Sequence, residues 1–309
     1  MNGRKSYNAG VETSAIVTGI RERLEAMLAA PQGRYRPFLI DGDAVGWIDD
    51  QRVLRLAEFP DVFVIDNHQV RLADNLGEPH ARTVAMERIA RKLSQEGVLS
   101  AWRDERYAVV CAFGESPRFE LERSAARYFG IRTFAAHING LVRTTEGIRM
   151  WLGRRSPHKA VDPGMLDNMV GGGIAAGATV ETTVIKEAWE EAGIPTAIAA
   201  TARPAGSLRI CRAHPRGLER ETVYVHDLWL DPAFVPSGVD SEVVEFRLES
   251  LAGAAGLAAN RSGPDVVTAD ASLVIADCLM RHDVIAPESA DHAALAALRY
   301  VSLEPGNRV

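Results

Sequence analysis

The segment GGGIAAGATVETTVIKEAWEEAGIP, residues 171–195, decides how this chain is interpreted. Three glycines open it, and a stretch with helical periodicity follows. Thr179 is of a residue type preferred at a helix N-cap. Gly193 suits the left-handed residue that ends a helix, and Pro195 prevents the helix from continuing. The sequence therefore predicts a glycine loop followed by a helix between Thr179 and Gly193.

At 100° per residue, this predicted helix separates apolar from acidic positions. Five residues fall on one arc, which we expect to face a core: Val184, Ile185, Ala188, Trp189 and Ala192. Glu187, Glu190 and Glu191 fall on the opposite arc, where like charges at these spacings repel by roughly 0.2–0.5 kcal/mol per pair. The negative end of the helix dipole adds a similar cost. A bound cation would offset both costs, and oxygen ligands suit Mg²⁺ or Mn²⁺ rather than zinc. A solvated acidic face is the alternative.

The order of glycines and glutamates resembles the Nudix box, a loop–helix–loop with the pattern Gly, five residues, Glu, seven residues, REUxEExGU, where U is aliphatic. Counted from Gly172, five further positions match: Glu187, Glu190, Glu191, Gly193 and Ile194. Two positions depart, because Ala178 stands in place of Glu and Lys186 in place of Arg. In the family these two positions carry opposite charges that support the helix. We therefore expect a coupled replacement that leaves no orphan carboxylate.

The resemblance implies a fold of the α/β (α+β) class. The expected architecture is a Nudix α/β/α sandwich with a mixed sheet, preceded by a smaller α+β N-terminal domain. Residues 1–130 are assigned to this N-terminal domain and residues 131–309 to the Nudix hydrolase domain. The strands on either side of helices, with a hairpin at the start of the second unit, also favour a mixed sandwich over a doubly wound parallel sheet.

The resemblance also implies a metal-dependent hydrolase that acts on phosphoric anhydrides. The predicted cofactor is Mg²⁺ (or Mn²⁺), held by Glu187, Glu190, Glu191 and the backbone carbonyl of Gly171. Such a metal would acidify a bound water and stabilise charge on phosphate oxygens.

A carboxylate must take the proton from the attacking water, and two candidates are Glu187 and Glu242. Nudix enzymes often use an additional Glu from the region beyond the box, where Glu242 and Glu245 lie. Glu242 is favoured because it lies at the mouth of the predicted strand, and related sequences have Gly in place of Ser241. A charged strand edge is the alternative interpretation.

A basic cluster precedes the box: Arg154, Arg155, His158 and Lys159. Arginine suits bidentate contact with phosphate, so Arg154, Arg155 and Lys159 are the predicted substrate-binding residues. A solvated hairpin end is the alternative. His137 and Asn139 lie on an otherwise apolar strand, where a core histidine with a satisfied hydrogen bond is expected.

The run from His137 to Gly177 resembles a narrower Nudix subfamily, related in sequence to thiamine pyrophosphokinase and carrying an extra N-terminal domain. The segments VGWI at 45–48 and RHDVI at 281–285 fit the same subfamily. By analogy, the substrate would be thiamine diphosphate or an oxidised form of it. Two alternatives stay open: a hydrolase of nucleoside diphosphate derivatives such as ADP-ribose or a dinucleotide, and a non-catalytic Nudix ligand sensor.

Composition limits the partners. The chain has 309 residues, is 47% hydrophobic and 25% charged, and carries a formal net charge of −6. This charge argues against nucleic acid as a partner, whereas a small-molecule diphosphate remains compatible because bound metal reverses the local field. No segment resembles a secretory signal or a membrane span, and Cys111, Cys211 and Cys278 form no CxxC pair. We expect a cytoplasmic protein with reduced thiols, no membrane contact, and an N-terminal domain that supplies part of the pocket or a homodimer surface.

Hydrophobic periodicity predicts the remaining elements. Strands are expected at 38–48, 62–70, 107–113, 134–143, 148–154, 203–212, 223–230 and 243–248. Helices are expected at 82–96, at 119–129 and, as the final helix, at 269–282.

Overall fold

The structure is a computed structural model, and it describes the backbone of residues 3–305 and the side chains of residues 14–305. The helices in this part of the chain are α1 (Gly3–Met27), α2 (Asp50–Leu56), α3 (Pro79–Gln95), the 3₁₀ turn η1 (Arg123–Ala125), α4 (Val180–Ala192), α5 (Thr196–Ala199), α6 (Leu251–Ala259), α7 (Ala269–Arg281) and α8 (Ala290–Leu298). The strands are β1 (Tyr35–Ile40), β2 (Asp43–Asp49), β3 (Phe63–Ile65), β4 (Val70–Leu72), β5 (Arg106–Val109), β6 (Phe119–Glu122), β7 (Arg132–Thr144), β8 (Gly147–Arg155), β9 (Leu166–Asn168), β10 (Val170–Gly173), β11 (Arg203–His214), β12 (Gly217–Leu230) and β13 (Val243–Ser250).

A large mixed sheet forms the centre of the fold. Its strands lie in the order β11-β12-β7-β8-β13, with β10 paired to β7 and β9 paired to β8. Only β12 and β7 run parallel among these pairs. Helices α6, α7 and α8 pack on one face together with α1, whereas α4 and α5 pack on the other. The α/β class with a mixed sheet is therefore confirmed.

Strand β7 shows why the sheet is covered on both faces. Ala135 and Leu141 lie in the core under α1, α6 and α7, whereas Ala136, Ile138 and Val142 lie in the core under α4. Successive side chains of a strand point to opposite faces. A strand that is apolar at both parities is therefore stable only between two layers.

A smaller unit, residues 35–131, is called the N-terminal unit here. It contains a four-stranded sheet in the order β2-β1-β4-β3, the hairpin β5–β6 and helix α3 around a separate core. Helix α1 precedes this unit in the chain but packs elsewhere: Val17, Ile20 and Leu24 lie in the core beside the large sheet. Arg23 supports that placement by donating to the carbonyl oxygen of Ala258 at 2.8 Å.

Two helix predictions were wrong. Residues 119–129 form strand β6, the turn η1 and a further irregular turn rather than one helix. Phe119 and Leu121 alternate into the core and pair with Val109 and Tyr107 of β5, so the strand pairing overrides the local pattern. Helix α7 closely matches the prediction at 269–282 but is not the final helix, because α8 follows it.

The predicted ends of helix α4 are confirmed, but its predicted faces are only partly correct. Thr179 caps the helix by accepting from the Thr182 amide, and Gly193 has a left-handed φ of 64°. Val184, Ala188 and Ala192 are buried, whereas the Trp189 side chain is 51% exposed. Glu191 is buried instead. It lies seven residues after Val184 and therefore on the same helix face, at the edge of the apolar stripe.

The cysteines and helices give two further results. Cys111, Cys211 and Cys278 are all free thiols, with Cys111 only half-buried. Among residues 3–305, no helix has the length and apolarity needed to cross a membrane.

The turn between β11 and β12 fastens the large sheet to the N-terminal unit. The Leu218 amide donates to the carbonyl oxygen of Arg127 at 2.9 Å, and Arg52 donates to the carbonyl oxygen of Pro215 at 3.0 Å. Gly217 has a φ of 135°, and a Cβ on it would lie 2.0 Å from the Arg127 carbonyl oxygen. The absent side chain is what lets the two units approach this closely.

Substituting Gly217 by alanine tests that contact. Gly147, in the β7–β8 hairpin, has a comparable φ of 119°, and a Cβ on it would have no neighbour within 4 Å, so it is the matched control. Gly147→Ala should lower the free energy of unfolding by about 1–3 kcal/mol through backbone strain. Gly217→Ala should lower it by roughly a further 1–3 kcal/mol through the clash. Denaturant unfolding measures both, and equal costs would contradict the docking role of the turn.

His214 in the same turn makes stability depend on pH. Burial, with Arg127 nearby, lowers the pKa of His214 to about 4, and its neutral Nδ1 accepts from the Arg216 amide at 3.1 Å. Between about pH 6.5 and pH 4 the unfolded chain therefore binds the proton more readily, so stability falls as pH falls through this window. His214→Asn should lose less stability across the same window, as measured by unfolding at several pH values. The exposed His68→Asn is the control; curves for His214→Asn parallel to those of the wild type would contradict the assignment.

Candidate active site

A central pocket of about 180 Å³ lies between the glycine strand β10, helix α4, the large sheet and the N-terminal unit. Six cationic and seven acidic side chains are among the described residues that line it. The near balance means that one divalent cation would make the pocket net positive, which suits a phosphorylated ligand.

The box places two of its glutamates against the glycine strand. Residues 170–173 pair antiparallel with β7, so the strand is fixed beneath helix α4. The Gly171 amide donates to Glu191 Oε2 at 2.9 Å. A Cβ on Gly172 would lie 2.3 Å from the Cγ atom of Glu187. Glycine at that position is therefore needed for the Glu187 side chain to lie where it does.

Glu187 and Glu191 line the pocket, whereas Glu190 does not. Glu191 is almost fully buried, and this burial raises its pKa to about 7 in spite of Lys159, whose Nζ is 3.6 Å away. Burial also raises the pKa of Glu187. The Glu190 side chain is 39% exposed and contacts Lys186 Nζ at 2.8 Å.

The two departures from the box pattern do not form a pair. Lys186 Nζ contacts Glu187 at 2.9 Å as well as Glu190, so this lysine pairs with two of the three box glutamates. Ala178 packs with Val110 and Ile174 in a small apolar cluster. Lys186 and Ala178 thus contact different residues in the structure. That one substitution compensates for the other stays a prediction.

Glu242 and Glu245 lie in different surroundings. Glu242 lines the pocket and contacts Lys159 and Arg103, and these contacts lower its pKa although burial opposes them. Glu245 instead accepts from Arg247 at 2.6 Å and from Arg154. Ser241, just before Glu242, has a left-handed φ of 63°, which is a conformation that favours glycine.

The predicted basic cluster is likewise divided between residues that line the pocket and residues that lie outside it. Arg155 and Lys159 line the pocket, with Arg155 held by Asp167 at 2.7 Å. Arg154 lies outside it and pairs with Glu245 and Asp265, each at 2.5 Å. His158 is not among the lining residues either.

His137 and Asn139 of β7 have hydrogen-bond partners inside the core. His137 Nδ1 lies 2.8 Å from Asn168 Oδ1, and Asn139 donates to Asp227 at 3.0 Å. A core histidine with a satisfied hydrogen bond is therefore confirmed. His137 also lines the pocket, since Gly171 leaves its ring uncovered.

An acidic cluster that was not predicted from the sequence also contributes to the pocket. Its members are Glu219 and Glu221 on β12 and Asp270 at the start of α7. One candidate ligand atom from each lies within 4.8 Å of the others, a closeness that the box glutamates do not reach in the described part of the chain. The spacing of two acidic residues at alternate positions of a strand was a usable signal, because such residues share one face.

The members of the acidic cluster differ in charge state. Arg127 and Arg212 hold the pKa of Glu219 at about 2 despite its complete burial. Burial and the Glu219 charge raise the pKa of Asp270 to about 7 and also raise that of Glu221. Glu221 and Asp270 line the pocket; Arg212 pairs with Asp270 at 3.8 Å, and the charge of Arg127 acts on both carboxylates.

Four pocket arginines were also missed: Arg103, Arg123, Arg127 and Arg216. The first three belong to the N-terminal unit, and the last lies in the β11–β12 turn. None has a local sequence signal, because each reaches the pocket only through the docking of the two units.

The residues of the box fit a divalent metal ion. Glu187, Glu191 and the backbone of Gly171 offer only oxygen ligands on one wall of the pocket, as Mg²⁺ and Mn²⁺ prefer. The missing side chain of Gly172 is what allows the Glu187 carboxylate to lie at this wall, because a Cβ would be 2.3 Å from the Cγ atom of Glu187.

Comparisons with known proteins identify the family. Residues 134–269 match the family described as "NUDIX domain", and residues 20–133 match "Domain of unknown function (DUF4743)". The chain is 34% identical to Nudix hydrolase 20, chloroplastic, of Arabidopsis thaliana, over 95% of this chain and 79% of that protein. Nudix hydrolase 24, chloroplastic, of the same plant is also 34% identical, over 93% and 79%. A crystal structure from Deinococcus radiodurans aligns at 26% identity with a TM-score of 0.36, covering 46% of this chain and 80% of that one.

Identity of this extent over most of both chains, together with the matched domain and the intact box glutamates, establishes the relationship. This chain therefore belongs to the Nudix hydrolase family and is a pyrophosphohydrolase.

Proposed function

We propose that this enzyme cleaves the diphosphate linkage of a small organic diphosphate with Mg²⁺ or Mn²⁺ bound at the box. The observation that carries the proposal is the meeting of Glu187, Glu191 and Gly171 on one wall of a polar pocket. Glu190 completes the box trio in sequence, although its side chain contacts Lys186 outside the pocket.

Bound metal would supply an acidified water and stabilise negative charge on the phosphate oxygens. The chain's own residues then have three tasks. Glu187 and Glu191 hold the cation, and Lys159 and Arg155 bind phosphate oxygens. A carboxylate takes the proton as water attacks phosphorus and the bridging oxygen leaves with the other phosphate.

Two carboxylates in the pocket are candidates for that proton. Burial raises the pKa of Glu187, whereas Lys159 and Arg103 lower the pKa of Glu242. A base is more effective when its pKa is near the working pH. Glu187 lines the pocket beside Gly172 and Glu242 lines it beside Lys159, so both carboxylates stay candidates for the proton acceptor.

The acidic cluster bears on the substrate. Glu221 and Asp270 place two carboxylates at the pocket, and Asp270 has Arg212 as an ion-pair partner at 3.8 Å. A cationic or amino-substituted ring would be attracted to them, whereas a neutral ring would not gain that energy. This surrounding supports thiamine diphosphate or an oxidised form of it, since thiamine joins a diphosphate to a cationic ring and an aminopyrimidine. ADP-ribose or a dinucleotide is the second substrate class to be tested.

Substituting the box glutamates tests the metal site. Glu187→Gln and Glu191→Gln should each lower kcat/KM by roughly 100-fold or more, because each removes a charged ligand while keeping the side-chain shape. Glu181→Gln, on the exposed first turn of the same helix, is the matched control and should stay within about twofold of the wild type. Activity should require Mg²⁺ or Mn²⁺. Full turnover in excess EDTA, or wild-type activity of both pocket variants, would contradict the proposal.

A substrate panel with Asp270→Asn tests the acidic cluster. Loss of one attractive charge should raise KM for thiamine diphosphate about tenfold, corresponding to roughly 1.4 kcal/mol. KM for ADP-ribose should not change. The measurement is phosphate or monophosphate release for each compound. Equal effects on both substrates, or turnover of ADP-ribose alone by the wild type, would remove the support for a cationic ring.

A further inference from the structure

The β11–β12 turn carries a guanidinium into the central pocket without an acidic partner. Arg216 Nη2 donates to the carbonyl oxygen of Ala160 at 2.6 Å. Among the side chains at 14–305, no carboxylate forms an ion pair with Arg216. A cation that lines a pocket and lacks a counter-ion is open to an anionic ligand.

Two further arginines face the same place. Arg103 lies in the loop before β5, and Arg127 lies in the turn after η1. Together with Arg216 they are called the arginine cluster. Burial lowers the pKa of Arg216, and the charges of Arg127 and Arg103 lower it further. Three guanidinium groups from separate segments are therefore held together against their mutual repulsion.

Carboxylates near this cluster contact more than one cation. Two of them are each shared by two cations: Glu242 by Arg103 and Lys159, and Glu219 by Arg127 and Arg212. Arg216 is therefore the member of the arginine cluster that has no carboxylate partner among the side chains at 14–305.

The backbone fixes this arrangement firmly. Gly217 brings the turn against the Arg127 carbonyl, and Arg52 holds the turn through Pro215. The Arg103 amide is held by Glu122 Oε1 at 3.0 Å. Arginine groups that are fixed before a ligand arrives lose less entropy on binding it.

We propose that the arginine cluster is a phosphoryl-binding subsite through which the N-terminal unit takes part in substrate binding. Guanidinium groups offer two parallel donors that match the oxygens of a phosphoryl group. The subsite deepens the function proposed above and rests on it, because it would hold the phosphate that is not at the box. It also gives residues 35–131 a role in the reaction.

Binding of methylenediphosphonate, a non-hydrolysable analogue of pyrophosphate, tests the subsite. Calorimetry with the full chain in Mg²⁺ gives Kd without any need for turnover. Arg216→Ala should raise Kd about tenfold or more, and Arg216→Lys should give a smaller rise because the charge remains. Arg209→Ala is the matched control, because Arg209 is an exposed arginine of β11 outside the pocket. The Kd of this variant for the probe should equal that of the wild type.

Thermal stability separates a binding role from a structural one. Removal of a repelled cation should leave the Tm of Arg216→Ala unchanged or raised, while Kd rises. If this variant folds poorly, Arg103→Ala decides in its place: a raised Kd supports the subsite and an unchanged Kd overturns it. No binding of the probe by the wild type, or an unchanged Kd in a folded Arg216→Ala, also overturns it. If the wild type hydrolyses no diphosphate but Arg216→Ala still binds the probe more weakly than the wild type does, the proposed function is refuted and the subsite is kept.

Discussion

The packing of helix α4 on the glycine strand is the contact on which the site depends. Residues 171–173 have no side chains, so the helix approaches the strand closely enough for Glu191 to accept from the Gly171 amide. The same closeness leaves Glu187 with its Cγ where a Cβ of residue 172 would lie. The pairing of this strand with β7 carries the constraint into the large sheet, and the sheet in turn sets the positions of β12 and α7.

The N-terminal unit supplies the part of the pocket wall that the sandwich does not form. The amide of Ala176, in the loop between the glycine strand and α4, donates to the Arg106 carbonyl oxygen at 2.8 Å. Arg220 of β12 reaches back to the carbonyl oxygen of Gly130, also at 2.8 Å. These contacts bring arginines of one unit beside carboxylates of the other. The pocket is therefore shared between a wall of the sandwich that carries the box carboxylates and cations supplied from residues 35–131.

Local features of the site could be predicted from sequence, whereas features that depend on tertiary contacts could not. Thr179 and Gly193 act within a few residues of themselves, so the ends of α4 follow from residue type. The burial of Glu191 depends on which face of the helix meets the sheet. Helical periodicity alone put Glu191 on the acidic arc, whereas the sheet covers it. Arg216 becomes a pocket residue only because a turn docks on a distant unit. The strand β6 likewise forms because β5 is available to pair with it.

Helix α1 ties the beginning of the chain to its end. Thr18 donates to Asp291 at 2.8 Å across 273 residues of sequence, and the helix shares its core with α6, α7 and α8. During synthesis this helix leaves the ribosome long before its partners exist, with its apolar face uncovered. The N-terminal unit can collapse around its own core in the meantime, but the sandwich closes only when the last helices arrive. Contacts of such long range slow folding, because the loop must close before they contribute. The two units are therefore not consecutive along the chain, because α1 precedes the N-terminal unit but packs with α6, α7 and α8. Cutting the chain between the two units would separate α1 from the helical layer that it completes.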